Sequence, residues 1–290
     1  RLRKEWGLPD VVQMNVLDKN GLLALYLKRR YHIPYFIIEH WSGYLPANFA
    51  FRGGWHGWIM RHIAKHANGI MPVSNVLKNA MQTCGIENAH WQKINNVVDD
   101  FFYAPYTKLI RAKKRLLHVS CFDDKAKNIK GLLQATRKVA EKRQDFELVL
   151  VGTGVDFEAV KTYADSLHFP DEMLLFTGEK TPTQVCQWMQ QSDAFVLFSR
   201  YETAGVVLAE CLAVGLPIIG ANAGAIPEVV NAQTGMLVPS EDENALANAI
   251  SFMLDHYQEY DTALIREQGK QYSFATVGQQ LISLYENHIS

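Results

Sequence analysis

AFVLFSRYETAGVVLAECLAVGLPII, residues 194–219, carries a complete strand, turn, helix and second strand. Ala194–Phe198 is a short apolar run with the length and aromatic character of a buried strand. Ser199 to Thr203 makes the turn, a helix is predicted from near Ala204 to Val214, and Gly215 and Pro217 stop it. Leu216–Ile219 then returns as a strand. Such a passage points unpaired backbone N–H groups, with a partial positive charge, away from the strand end, where a phosphate or diphosphate would bind. Gly205, read here in the first helical turn, removes a side chain where a ligand would approach.

Two carboxylates interrupt this apolar stretch, Glu202 before the helix and Glu210 within it. At 1.5 Å per residue they stand ~12 Å apart along the helix, too far to act as one acid/base dyad. A carboxylate only accepts hydrogen bonds, so the vicinal hydroxyls of a sugar or ribose are natural partners for each. Glu202 also has a simpler reading as a helix N-terminal charge worth ~0.3–1 kcal/mol. Glu210 is harder to place without a ligand, because Ala209, Cys211 and Leu212 surround it and a buried unpaired carboxylate is costly.

The same alternation extends outward. Strands are predicted at Leu116–Val119, Glu147–Val151, Met173–Phe176 and Met236–Val238, with helices near 129–142, 155–167, 182–191 and 242–255. Upstream, Val11–Val16, Tyr35–Glu39, Gly69–Val73 and Lys93–Val98 read as strands with helix-forming stretches between them. The pattern is parallel α/β. It pauses over DDFFYAPYTKLIRAKKR, residues 99–115, where five basic residues follow Asp100 without an acid. That run reads as a solvated linker, with a phosphate-binding or membrane-surface patch as the alternative. The expected organisation is therefore a partial Rossmann-like domain over 1–110, a second over 111–274, and a closing helix over 275–290 able to pack back on the first. Two doubly wound sheets predict a cleft between them, where ligands meet the carboxyl ends of strands.

Lys and Arg number 29 against 30 acids in 290 residues, a net charge of −1 that gives no global field for nucleic acid. Four scattered cysteines, without zinc-site spacing, read as reduced thiols of a cytoplasmic protein. No apolar run approaches the ~20 residues of a membrane span, and no signal peptide is evident. The chain opens at Arg1 almost directly on a strand-like segment, which reads as a fragment of a longer sequence.

Other motifs are weaker. Lys125 and Lys127 sit in a loop between a strand end and a helix, where a lysine would neutralise charge on a departing phosphate. VGTG, residues 151–154, follows a strand as G-x-G does in dinucleotide-binding proteins, with Glu179 ending the next strand, so an NAD-dependent oxidoreductase is an alternative class; the third glycine is missing. His62 and His66 have the spacing of two zinc ligands on one helix face, without the glutamate of a metalloprotease. No two aspartates stand two apart, so a D-x-D metal–diphosphate clamp is absent and no metal is expected.

The Glu202-x7-Glu210 pair with its extension CLAVGLPIIGANAGAIPEVV, together with KNIKGLLQA, VGTG, LLFTGE and SDAFVLFSRYET, resembles the retaining glycosyltransferases of family four. PDVVQMNV, IPYFIIEHWSGY and ANGIMPVSNVLKNAM resemble the second half of that family's first domain, without its opening units. The resemblance implies the two-domain GT-B fold with an incomplete first domain. It implies transfer of a sugar from a nucleotide-diphosphate sugar to a carbohydrate or lipid-linked acceptor hydroxyl, with retained configuration and without a metal or other cofactor, and association with the periphery of the inner membrane face. By position, Glu210 would bind the ribose, Glu202 the donor sugar and Lys127 the diphosphate, beside the amides of Thr203, Ala204, Gly205 and Val206. Gly152, with Phe176 and Gly178, would line the base site, and His40 would face the sugar. Ser120 and Cys121 stand where members often have Gly-Arg, so the usual diphosphate arginine is replaced and Lys125 is the expected helper. That replacement, with the missing units, keeps open a non-catalytic nucleotide-sugar binder.

Overall fold

The computed structural model describes residues 7–289. They gather into two compact units, one running to Asn96 and taking in the segment from Ala275 onward, the other Val97–Phe274.

The first unit contains β1 (Val12–Asn15), α1 (Gly21–Tyr31), β2 (Tyr35–Glu39), α2 (Gly54–His66), β3 (Gly69–Pro72) and α3 (Asn75–Thr83). Its sheet is parallel in the order β1-β2-β3. The central strand YFIIE is buried at every position, as a strand covered on both faces must be, while VQMN of β1 alternates half-buried and exposed. The closing helix, Phe274–Ile289, sets Tyr285 and His288 against the buried Phe36, each ring 5.1 Å from it. On α2, His66 Nδ1 donates to the His62 carbonyl at 2.8 Å, and the Arg29 guanidinium lies 3.1 Å from His62 Nε2. The histidine pair is thus engaged by its own helix and by a cation.

The second unit contains β4 (Lys114–Val119), α4 (Asp124–Lys127), α5 (Ile129–Ala140), β5 (Phe146–Val151), α6 (Phe157–Ser166), β6 (Leu174–Gly178), α7 (Pro182–Gln190), β7 (Ala194–Leu197), α8 (Val206–Val214), β8 (Ile218–Ala221), β9 (Gly235–Val238), α9 (Glu243–His256) and α10 (Thr262–Gly269). All six strands are parallel, in the order β6-β5-β4-β7-β8-β9. Both units are Rossmann-like. Helix α10, not predicted from its short sequence, starts on the Asp261 carboxylate, which accepts from the Ala263 and Leu264 amides. It lies so close to α8 that a Cβ on Gly269 would come 2.8 Å from Ala213 N.

Three expectations change. Lys93–Val98 is no strand: Ile94 N bonds to Pro72 O while Val98 N bonds to Tyr272 O. Hydrogen bonds divided between two partners leave only isolated bridges at Trp91 and Val98. The boundary falls at Asn96/Val97 rather than 110, because Val98 and Phe102 belong to the second core and Tyr103 and Tyr106 pack against it. The basic run is exposed over 107–110, as a solvated linker is, but its cations are paired rather than free for a ligand. Lys108 and Arg111 reach Asp193 at 2.7 and 3.5 Å, Lys113 reaches Glu172 at 3.7 Å, Lys114 reaches Asp145 at 3.1 Å and Arg115 reaches Glu147 at 2.7 Å.

Asp193 is the buried member of this set, and it also accepts from the Arg115 amide at 2.6 Å. Asp193→Ala should therefore lower unfolding free energy by about 3 kcal/mol in urea titrations, since it strands a backbone donor and two cations. Glu267→Ala, removing the exposed partner of Lys270, should change it by less than about 0.5 kcal/mol.

Candidate active site

Strands β4 and β7 are neighbours, but β4 continues through β5 to β6 while β7 continues through β8 to β9. The loops at their carboxyl ends therefore part, opening a crevice of the kind that holds ligands in doubly wound sheets. A pocket of about 370 Å³ lies there, and Lys127, Glu202 and Glu210 all line it.

Lys127 is set by a short turn. The Asp123 side chain caps α4, and Asn128, at φ +50°, turns the chain into α5. Arg200 fastens that turn to the loop after β7: its amide donates to Ala126 O at 2.8 Å, and its guanidinium donates to Asp124 O at 2.6 Å and Asn128 Oδ1 at 2.8 Å. The clamp brings the Lys127 ammonium onto Glu202 Oε1, which also accepts from the Ser199 hydroxyl at 3.1 Å. Behind Glu202, Gly224 at φ +54° is required, because a Cβ there would stand 2.4 Å from the Glu202 carbonyl oxygen. That carbonyl accepts from the Ala225 amide at 2.9 Å.

Helix α8 begins at Val206, two residues later than predicted, and Gly205 is its N-cap at φ +62° rather than a first-turn residue. Glycine is favoured there by backbone geometry. The Leu208 amide bonds back to Gly205 O, leaving the Val206 and Val207 amides without an acceptor among the described residues. Both residues line the pocket.

Glu210 follows one turn further, with no hydrogen-bond partner among the described residues. Removal from water, with a smaller contribution from Asp99, pushes its carboxyl up to about 7. His118, fully buried beneath the pocket at the end of β4, is held down to about 4 by its burial and is neutral. Its Nδ1–H donates to Val196 O at 2.9 Å, so Nε2 accepts from the Ser120 hydroxyl at 2.7 Å.

Not every predicted residue joins this group. Thr203 and Ala204 are half-buried in the turn before α8 and lie outside the lining. Gly152 donates its amide to Gly178 O at 2.9 Å, and a Cβ on it would meet Ser120 O at 1.9 Å. A Cβ on Gly154 would come 2.6 Å from Phe122 N. The VGTG glycines thus serve a close backbone crossing, which accounts for them without a dinucleotide. Gly178 opens on free space, and Phe176 packs with Phe122 and Phe157, at 6.3 and 6.0 Å, outside the lining. Lys125 is exposed and does not line the pocket; its second cation is Lys180, whose ammonium donates to the Thr177 and Glu179 carbonyls.

His40 belongs to the first unit, just beyond β2. The buried Glu39 shapes that turn, accepting from the His40 and Trp41 amides and the Leu17 amide, each at 2.8 Å. Desolvation lowers the His40 pKa, and a hydrogen bond with the Asn96 side chain acts the other way.

Arg200, Gly224 and Lys180 were missed from the sequence. Arg200 stands two residues before Glu202, and an arginine in a strand-end turn was the available signal; Gly224 and Lys180 act through neighbours distant in the chain.

A family profile described as glycosyl transferases group 1 matches residues 107–271. The chain is 30% identical over 207 residues to the N-acetyl-alpha-D-glucosaminyl L-malate synthase of Bacillus anthracis, covering 68% of this chain and 53% of that one. It is 29% identical over 180 residues to the phosphatidyl-myo-inositol mannosyltransferase of Mycobacterium leprae, covering 61% and 47%. The chain thus spans about half the length of these curated relatives. Among solved structures, sucrose-phosphate synthase from Thermosynechococcus elongatus superimposes with a TM-score of 0.83 at 20% identity, over 98% of this chain and 75% of that one. Anabaena HepE in complex with UDP does so with 0.79 at 18% identity, over 96% and 79%. These likenesses establish the GT-B fold, and the match over residues 107–271, more than half of the chain, makes the chain a member of the group 1 glycosyltransferases.

Proposed function

We propose that the protein transfers a sugar from a nucleotide-diphosphate sugar to an acceptor hydroxyl, with retained anomeric configuration and without a metal ion. The observation that carries this reading is Glu210, a carboxyl group with no hydrogen-bond partner among the described residues that shares a pocket with Lys127 and the start of α8. Ribose hydroxyls supply the donors Glu210 lacks. The diphosphate takes the Val206 and Val207 amides and draws Lys127 from Glu202, which frees Glu202 to accept from the donor sugar.

As the bond from the anomeric carbon to the phosphate oxygen breaks, negative charge grows on the phosphate and positive charge on the sugar. The cation and the amides stand at the phosphate, and the carboxylate stands toward the sugar. The acceptor oxygen bonds to the anomeric carbon on the face the phosphate leaves, and its proton passes to the departing diphosphate. Because the chain has no D-x-D pair, charge neutralisation falls to Lys127, Lys180 and α8. The nucleotide-sugar binder without turnover is the second reading, favoured by Cys121 lining the pocket where an arginine is usual.

Titration with UDP and GDP beside a donor-hydrolysis assay separates the two: nucleotide binding with turnover is expected, and binding alone leaves the second. Lys127→Ala should depress turnover more than donor affinity; equal losses would make it a binding residue only.

For Glu210→Gln, nucleotide binding should weaken by about 1.5–3 kcal/mol, from loss of a charged acceptor. Two further effects follow from a carboxyl raised to about 7. The folded state favours the protonated form, so the ionised group destabilises the unliganded protein as pH rises from the ordinary carboxylate range to about 7, and the penalty stays constant above it. Glu210→Gln should therefore raise the melting temperature of unliganded protein at pH 8, by a stability gain on the order of 2–3 kcal/mol. Hydroxyl donors favour the ionised form, so the ratio of wild-type to Glu210→Gln nucleotide affinity should fall below pH 7, by up to about tenfold per unit. Calorimetric titrations at several pH values test it, and a constant ratio would remove Glu210 from the nucleotide site.

A further inference from the structure

We propose that Ser120 is a specificity residue of the pocket, accepting a hydrogen bond from a hydroxyl group of the bound nucleotide sugar and offering no donor to its phosphates. The assignment rests on the nucleotide-sugar reading of that pocket and adds a contact to it.

Residues 118 and 120 stand two apart where β4 ends, so both side chains leave the same face of the chain. The backbone there is fixed. The Ser120 amide donates to Val151 O at 3.1 Å, and Ser120 O lies against Gly152, where a Cβ would come 1.9 Å from it. On β7, Val196 O takes the Nδ1–H of His118 at 2.9 Å, which leaves Nε2 to accept from the Ser120 hydroxyl at 2.7 Å. The imidazole is fully buried, its ring parallel to Phe195 at 6.5 Å. Burial, with a smaller push from the charge of Lys127, keeps it neutral. Nε2 thus carries no proton that would turn the serine around.

A hydroxyl has one proton and two lone pairs. The proton of Ser120 is committed to His118, and its side-chain oxygen has no other hydrogen bond among the described residues. Ser120 lines the pocket with Lys127, Glu202 and Glu210, so what it turns toward a ligand is an acceptor. The bond to His118 polarises the oxygen and strengthens it in that role. Phosphate oxygens only accept, and meet repulsion at such a point; a ribose or hexose hydroxyl meets a partner. A serine that served only to satisfy a buried histidine would be dispensable together with it, since phenylalanine beside Phe195 needs no partner. The pocket therefore separates two chemistries. Lys127 and the amides of Val206 and Val207 suit the diphosphate, while Ser120 joins the carboxylates in taking hydroxyls.

The test is calorimetric titration of the 290-residue chain with UDP, GDP, their 2′-deoxy and 3′-deoxy forms, UDP-glucose, GDP-mannose and inorganic pyrophosphate. Ser120→Ala is expected to weaken the preferred nucleotide sugar about five- to tenfold, while pyrophosphate binds as to the wild type or more tightly. The pattern identifies the hydroxyl. A loss shared by nucleotide and nucleotide sugar, and absent with one deoxy nucleotide, assigns it to the ribose; a loss confined to the nucleotide sugar assigns it to the transferred sugar. His118→Phe frees the serine proton, so pyrophosphate affinity is expected to rise about threefold or more, and adding Ser120→Ala should cancel the rise. Thermal unfolding verifies that each variant is folded, and if His118→Phe is not, the Ser120→Ala series decides alone. The proposal is overturned if Ser120→Ala leaves nucleotide-sugar affinity unchanged, if it weakens pyrophosphate equally, or if a loss seen with the nucleotide persists in both deoxy forms. A wild type that binds none of the nucleotides or nucleotide sugars removes the donor reading itself and this assignment with it. That result is distinct from a wild type that binds and a serine variant that binds alike, which removes the assignment alone.

Discussion

Strands β4 and β7 lie side by side and send their connections to opposite edges of the sheet, and the crevice left at their carboxyl ends is where the candidate site forms. A crevice alone does not place side chains. Arg200 does so here, because its amide and guanidinium hold three groups of the 124–128 turn at once. Its remaining nitrogen pairs with Glu241 at 2.6 Å, so the loop after β4, the loop after β7 and the loop before α9 meet on one side chain. An arginine suits that task because its donors lie in a fixed plane, so several bonds cost little more ordering than one. Lysine at this position would keep the amide bond to Ala126 O but lose the planar fork that holds Asp124 O, Asn128 Oδ1 and Glu241 together.

The two carboxylates of the site sit in opposite electrostatic conditions. Glu202 has a cation and a hydroxyl on one oxygen, and its backbone is gripped by Ala225 and Gly224. Among the described residues Glu210 has neither a hydrogen-bond partner nor a paired cation, and its proton is held by desolvation. A fold selected for stability alone would place leucine or methionine there, among the buried Ala209, Cys211 and Leu212. Retaining a carboxyl group in that setting marks a position where stability yields to binding. The same reasoning gives Glu202 the weaker claim, since its partners already account for it without a ligand.

Most of the parallel α/β plan was legible in the sequence, because strands such as YFII and AFVL are continuous apolar runs and the helices between them start on Ser74, Thr181 or Asp242. What escaped was non-local. Arg200 works through residues more than 70 positions away, Gly224 is required by the backbone of Glu202, and Lys180 enters the pocket from β6, two strands removed from β4. Lys93–Val98 has strand composition, but its hydrogen bonds go to two different partners, a matter decided by tertiary placement rather than propensity. Helix α10 is eight residues with a capping aspartate, too short for its periodicity to stand out before Gly269 seats it against α8.

Charge was the quantity most obscured by averaging. A net of −1 over 290 residues argues against a field that would attract a polyanion, yet ions at a surface are felt only over about 8–10 Å in physiological salt. Within that range what matters is which acids stand beside which cations. In the second unit, each cation of the basic run of 108–115 stands within 4 Å of an acid, Lys108 and Arg111 sharing Asp193 and the others meeting Glu172, Asp145 and Glu147. In the first, the cations of residues 19–86 have only Glu39 in the same stretch, and it is buried among amides. The segment that looked most basic by sequence is therefore one whose cations are paired locally. The cations around α1 and α2 are scattered apart from Lys28–Arg30, and they stand on the helices that carry two bare indoles.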